Sequence, residues 1–274
     1  MPAPHRLLAT ATLLLACASA QCAPELHDYA GRKVEVLKIV APASHATVVF
    51  ENGSRETLDK WDKVIPAIAR DATVFAYNRP GYGKSDQPAT PRTGAAIVEE
   101  LRAMLKQEGL QPPYVLVGHS LGGLYMQLYA RSYPQEVRGV VLVDAVYPGI
   151  IKRPQDFPFL TRVAKYVLLN KTVEGEIDEI HNTGQAVLAQ PWNDAIPMVR
   201  LINVPKSAGA VAVDFGVVNS DDKTMQQVKA MYPRARTQIV DSDHQIQVAT
   251  PEVVVSAIRE VMDTAPARPV AKAD

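Results

Sequence analysis

The segment Gly118-His119-Ser120-Leu121-Gly122 holds a serine between two glycines at G-x-S-x-G spacing, directly after the apolar run Tyr114-Val115-Leu116-Val117. Residues 124–130 continue as a helix-like stretch. A strand that turns abruptly into a helix lifts the serine Oγ above the sheet, where it is free to act as a nucleophile. The glycines have a steric job: the serine backbone is strained, and side chains at Gly118 and Gly122 would collide with the neighbouring strand and helix. Glycine and serine also build ordinary turns, and the apolar strand before with the helix after is what separates this motif from one. A serine hydroxyl is a weak nucleophile, so the chemistry needs a neutral imidazole to take its proton. The histidines are His5, His27, His45, His119, His181 and His244, and His244 is the only one late in the chain. His119 adjoins Ser120 but is expected to point away from it and to pack against or hydrogen-bond the surrounding loops.

The elements that must carry these residues alternate between strand-like and helix-like stretches, which predicts an α/β class with a mostly parallel sheet of about eight strands flanked by helices. Residues 32–40 read as an early edge strand, 46–50 and 73–77 as buried strands, and 61–70 and 93–108 as helices. Residues 137–143 are apolar almost throughout, as expected of a strand covered on both faces. Regularity breaks down over 147–205, where Pro148, Pro154, Pro158, Pro191 and Pro197 interrupt the helical stretches. Residues 210–218 are expected to form the next strand, 237–240 the last, and 251–262 a closing helix. The Pro/Ala/Lys-rich tail, 264–274, is expected to be disordered.

The N-terminus has the form of an export signal: weakly basic His5 and Arg6, an apolar run over 7–16 too short to span a bilayer, then Ala18-Ser19-Ala20. Cleavage after Ala20, residues 1–20 being the signal, leads to a periplasmic or secreted protein; the alternative is a lipoprotein modified at Cys17. About 250 residues then remain, the size of one large domain, here 25–262. The 29 basic and 29 acidic residues cancel, with neither the basic footprint of a nucleic-acid binder nor a polybasic membrane patch. No transmembrane segment is expected. Cys17 and Cys22 leave one thiol after cleavage and hence no internal disulfide. The histidines lack metal-ligand spacing and no phosphate-binding glycine loop occurs, so neither a metal nor any other cofactor is expected.

Four motifs carry a family resemblance: Tyr77-Asn78-Arg79-Pro80-Gly81-Tyr82-Gly83-Lys84-Ser85-Asp86, the glycine-flanked serine, Val140-Val141-Leu142-Val143-Asp144, and Asp243-His244 shortly before Pro251. With them the chain resembles the α/β-hydrolase superfamily, in its single-domain esterase-like branch, over roughly residues 30–262. The resemblance implies a helical cap after the sixth strand, at 147–205, and makes His244 the catalytic base. It makes the Leu121 N–H one oxyanion donor. The second comes from the loop after the 46–50 strand, where relatives usually carry His-Gly; Asn52-Gly53-Ser54 stands there instead, which assigns the Ser54 N–H. Arg79 to Gly83 is read as scaffolding, with Ser85 and Asp86 hydrogen-bonding the loop. Most relatives place the acid after the strand that follows the cap; Asp214 lies inside the strand expected at 210–218, and Asp221 and Asp222 come after it. Dehalogenase-like members place it at the position of Asp144, and Asp144 is favoured, with Asp221 and Asp222 as alternatives. Asp241 and Asp243 are taken as loop residues.

The implied activity is a cofactor-free serine hydrolase cleaving an ester, thioester or similar acyl bond of a small molecule through an acyl-enzyme. Lyase, acyltransferase or perhydrolase chemistry on the same fold, or a non-catalytic exported binding protein, are the alternatives. Dehalogenase and epoxide hydrolase readings are disfavoured, since those relatives carry aspartate where this chain has Ser120.

Overall fold

The structure is a computed structural model that describes residues 23–41, 44, 46–149, 151, 153–156, 170–203 and 222–264. The expected signal with Cys17, the 210–218 strand with Asp214, Asp221, and the tail beyond 264 lie outside the described residues.

Two antiparallel strands open the sheet: β1 (Glu25–Tyr29) and β2 (Arg32–Ile39). Ala30 and Gly31, at φ 53° and 80°, make the two-residue turn between them, the left-handed pair that matches strand twist. β3 (Thr47–Glu51), β4 (Thr73–Tyr77), β5 (Tyr114–His119), β6 (Val137–Val143), β7 (Met198–Asn203) and β8 (Arg236–Val240) complete an eight-stranded sheet in the order β1-β2-β4-β3-β5-β6-β7-β8. β2 is antiparallel to β4, and all later pairings are parallel.

The inner strands are largely apolar because each face has its own helical cover. Along β6, Val140 and Leu142 join one core with α2 (Gly94–Gln107) and α3 (Ser120–Ser132), while Val141 and Val143 join the other with α8 (Pro251–Thr264). α2 starts at Thr93, whose side chain accepts from the Ala96 N–H, and its Ile97, Leu101, Met104 and Leu105 recur at helical spacing toward the core. Trp61, Ile65 and Ile68 fill the α8 side.

Three local expectations are corrected. Residues 32–40 are not the sheet edge, because β1 pairs outside β2; its side chains are largely exposed, so it carries almost no apolar signal. The 61–70 helix is instead a 3-10 turn at Leu58–Trp61 and the single-turn α1 (Ile65–Ile68). The stretch 147–205 is not all cap, since β7 begins at Met198 and pairs with β6. Arg200 interrupts its apolar run, but the side chain is buried and donates to Thr237 Oγ1 on β8. The helices described between β6 and β7, where the cap is expected, are α4 (Lys171–Asp178), capped by the Asn170 side chain, and α5 (Ile180–Leu188). The remaining helices are α6 (Asp222–Met231) and α7 (Ile246–Ala249). Among the described residues no helix is long and apolar enough to cross a membrane.

Candidate active site

The chain leaves β3 toward β4 on one side and returns to β5 on the other, so the strand order reverses between β3 and β5. In open parallel sheets the crevice at the carboxyl ends of the strands flanking that reversal is where ligands bind. Two loops meet there, the 52–56 loop after β3 and the turn from β5 into α3.

Ser120 occupies that second turn, at φ 50°, a left-handed backbone that side chains resist. His119 pairs with Val143 across β5 and β6, so Ser120 and Asp144 each follow a residue of the same register pair. Asp144 also has positive φ, 40°, and the Val146 N–H donates to the Ser120 carbonyl at 2.9 Å. With Arg55 at 62°, three of the four described non-glycine residues at positive φ lie in these two loops or directly after β6. Strain concentrated in this way marks a position whose geometry is held by its surroundings.

The glycine at 122 is dictated by contact. A Cβ there would sit 2.4 Å from the Asn52 carbonyl oxygen and 2.6 Å from that of Glu51, both backbone atoms. Gly122→Ala is therefore expected to destabilise the protein by about 1–3 kcal/mol, the cost of overpacking against groups that cannot rotate away. A denaturation midpoint unchanged from the parent protein contradicts this.

His244 arrives from the loop after β8, and its Nδ1 lies 2.6 Å from Asp144 Oδ2. Asp144 is buried, and its Oδ1 accepts the Asn203 N–H at 3.2 Å, which fixes the carboxylate from behind. Burial opposes the imidazolium form of His244, but the hydrogen bond and charge of Asp144, with the charges of Glu56 and Asp243, outweigh it and raise the pKa above the ordinary histidine value. The His244 side chain stays 45% exposed. Among the described residues no hydrogen bond joins Ser120 Oγ to this ring, and such contacts commonly tighten only with substrate present.

His119 is wholly buried beneath. Its Nε2 donates to the His244 carbonyl at 2.8 Å, and its Nδ1 meets Glu56 Oε2 at 2.6 Å. Its ring centroid lies 4.6 Å from that of His244. Burial would raise the Glu56 carboxyl, but His119, the Gly53 amide and the charge of His244 hold it below the usual range. Gln245 Nε2 donates to the other Glu56 oxygen at 3.0 Å, so Glu56 ties the loop after β3 to the loop that carries His244.

The loop after β3 departs from the His-Gly of relatives, and Asn52 shows what replaces it. Its Nδ2 donates to the Tyr77 carbonyl and its Oδ1 accepts from Trp61 Nε1, each at 2.8 Å. An amide uses both its donor and its acceptor there. The Gly53 N–H is taken by Glu56 Oε2 at 2.9 Å. Ser85 and Asp86 brace the other loop: Ser85 Oγ donates to the Asn78 carbonyl, and Asp86 Oδ2 accepts the Lys33 N–H.

The structure thus gathers Ser120, Leu121 and Asp144 at adjoining turns and sets His244 on Asp144. Of the alternative acids, Asp221 is outside the described residues and Asp222 opens α6. Sequence reasoning did not single out Glu56, Glu51 or Glu176, and took Arg79 as scaffolding only. Their common signal is charge in segments that must be buried. No cluster of three or more metal-ligating side chains occurs among the described residues.

A family model for the α/β-hydrolase fold matches residues 46–174, a stretch that holds Ser120, Asp144 and the 52–56 loop but ends before His244. Among curated proteins, YqjL of Bacillus subtilis, an uncharacterized protein, is 35% identical over 102 residues, 37% of this chain and 40% of that one. A non-heme chloroperoxidase of Streptomyces lividans is 37% identical over 116 residues, 40% of this chain and 41% of that one. The alignments therefore span about two fifths of the length of these curated relatives. Among solved structures, a loop variant of a haloalkane dehalogenase from Bradyrhizobium elkanii superposes with a TM-score of 0.68 at 13% identity, covering 88% of this chain and 97% of that one. Sheet order, turn and family match give this chain the α/β-hydrolase fold.

Proposed function

We propose that this protein is a serine hydrolase acting on an ester, thioester or similar acyl bond of a small molecule. The observation that carries the reading is the 2.6 Å contact of His244 Nδ1 with buried Asp144, one strand over from the Ser120 turn. In this mechanism His244 Nε2 takes the Ser120 proton as Oγ attacks the substrate carbonyl. The Nδ1–H stays on Asp144, which holds the tautomer and stabilises the imidazolium. The Leu121 and Ser54 N–H groups receive the negative charge of the tetrahedral intermediate. The intermediate collapses to an acyl-enzyme as His244 returns the proton to the departing alcohol or thiol. Water, deprotonated by His244, then releases the acid and restores Ser120.

A fluorophosphonate probe is expected to label Ser120 of the wild-type protein, and p-nitrophenyl esters of graded chain length are expected to be hydrolysed. An inert Ser120 points instead to a binding protein. The likeness to a chloroperoxidase supports one second reading, in which hydrogen peroxide replaces water as the nucleophile that releases the acyl group. Peroxyacid formation in the presence of an acyl donor and peroxide separates the two. We also propose export with cleavage after Ala20; mass spectrometry of the native protein should find Gln21 first, whereas an intact Met1 overturns this and a lipid on Cys17 selects the lipoprotein route.

A further inference from the structure

Arg79 is the most enclosed cation among the described residues, and what it holds is the loop that carries Ser54. Two buried carboxylates neutralise it: Glu51, at the end of β3, lies 2.6 Å from Nη1, and Glu176, on cap helix α4, lies 2.9 Å from Nε and 3.1 Å from Nη2. An ion pair of this kind by itself only cements cap to sheet. The other donors of the guanidinium, however, go to two consecutive backbone carbonyls, Nη1 to Asn52 at 2.7 Å and Nη2 to Gly53 at 2.9 Å.

A trans peptide points its N–H opposite to its C=O. Drawing the Asn52 carbonyl onto Arg79 turns the Gly53 N–H the other way, where Glu56 accepts it. Drawing the Gly53 carbonyl onto Arg79 likewise turns the Ser54 N–H away from the guanidinium, and among the described residues that N–H has no acceptor. The far side of Ser54 is held as well, since the Arg55 N–H donates to Tyr82 Oη at 3.4 Å. Tyr82 Oη in turn donates to Glu176 at 2.6 Å, and its ring lies 4.8 Å from the Arg79 guanidinium carbon. Both neighbours of Ser54 therefore lead, through one side chain each, to the same cap carboxylate.

We infer that Arg79 is a positioning residue that aims the Ser54 N–H at the developing oxyanion, and that Glu176 makes this aim depend on the seating of cap helix α4. The inference rests on the serine-hydrolase reading. It predicts that disturbing a cap residue lowers kcat through a backbone donor on the sheet, with little change in ground-state binding.

The test is a double-mutant cycle on p-nitrophenyl ester hydrolysis, with fluorophosphonate labelling of the same proteins. Ser54→Pro deletes the donor itself; Ser54 has negative φ and Arg55 φ 62°, the pattern of a turn that accepts proline at its first central position. It is expected to lower kcat about 10²-fold. Glu176→Gln is expected to lower kcat about 10-fold to 100-fold with KM within about twofold. Should that variant not fold, because Arg79 keeps a single carboxylate, Tyr82→Phe retains every charge and the ring. It is expected to lower kcat about fivefold to tenfold, the order of one hydrogen bond's net effect. In the Ser54→Pro background neither change is expected to lower kcat further. Losses that persist in full in that background, an unchanged kcat in Tyr82→Phe, or an undiminished kcat in Ser54→Pro overturns the inference while the hydrolase reading stands. A wild-type protein that neither takes the probe at Ser120 nor cleaves the esters overturns both.

Discussion

Ser120→Ala is expected to lower ester hydrolysis by roughly 10³-fold or more and to abolish fluorophosphonate labelling, because the attacking atom is gone while the fold is not. Alanine keeps the residue at φ 50° with the same backbone cost, so the thermal midpoint should hardly move. Ser120→Gly extends the argument. It should be equally inactive yet more stable by about 1 kcal/mol, since glycine meets no penalty in the left-handed region. Stability gained at the position where activity is lost is the mark of a strained functional turn. A Ser120→Ala protein that keeps most of its activity removes the serine mechanism.

Asp144→Asn is expected to lower kcat by roughly 10³- to 10⁴-fold without unfolding the protein. Asparagine is at home at positive φ, and its amide oxygen can still accept the Asn203 N–H that Asp144 Oδ1 receives. That leaves the NH₂ group facing His244 Nδ1, where the carboxylate stood 2.6 Å away. The ring must then accept at Nδ1 and carry its proton on Nε2, the wrong tautomer for taking a proton from Ser120. The pH profile gives a second readout. Activity needs neutral His244, and its pKa is raised, so the acid limb of kcat/KM in the wild type should lie above the ordinary imidazole midpoint of about 6.5. The Asp144 hydrogen bond and charge oppose the lowering effect of burial; without them the residual limb should move to lower pH. Full activity in Asp144→Asn, with loss in Asp221→Asn or Asp222→Asn, reassigns the acid to the segment after the cap.

Much of the frame was legible because the signal is local. β5 over 114–117 and β6 over 139–143 are continuous apolar runs, and such runs arise where helices cover both faces of a sheet. Gly118 and Gly122 flank Ser120 for a steric reason that neighbouring chain imposes, and the structure puts the Asn52 carbonyl oxygen 2.4 Å from where a Gly122 Cβ would be. β1 and β7 were not legible. The first is an exposed edge with few apolar positions, and the second carries Arg200, whose place in a buried strand depends on Thr237 of the next one.

At the site, the serine, the late histidine and the loop with Ser54 could be named from the chain because each belongs to a short motif. Asp144 was favoured as the acid only through the dehalogenase-like resemblance, since it lies 100 residues from His244 and several aspartates satisfy every local criterion. Local criteria likewise do not pair Arg79 with Glu176, separated by 97 residues, or His119 with Glu56, separated by 63. Periodicity and turn chemistry act over a few residues, so the sequence by itself determined the strands other than β1 and β7, the strained serine turn and the glycines that permit it. Pairing of buried charges is decided by which loops the sheet order brings to one edge, and that is a property of the tertiary structure alone.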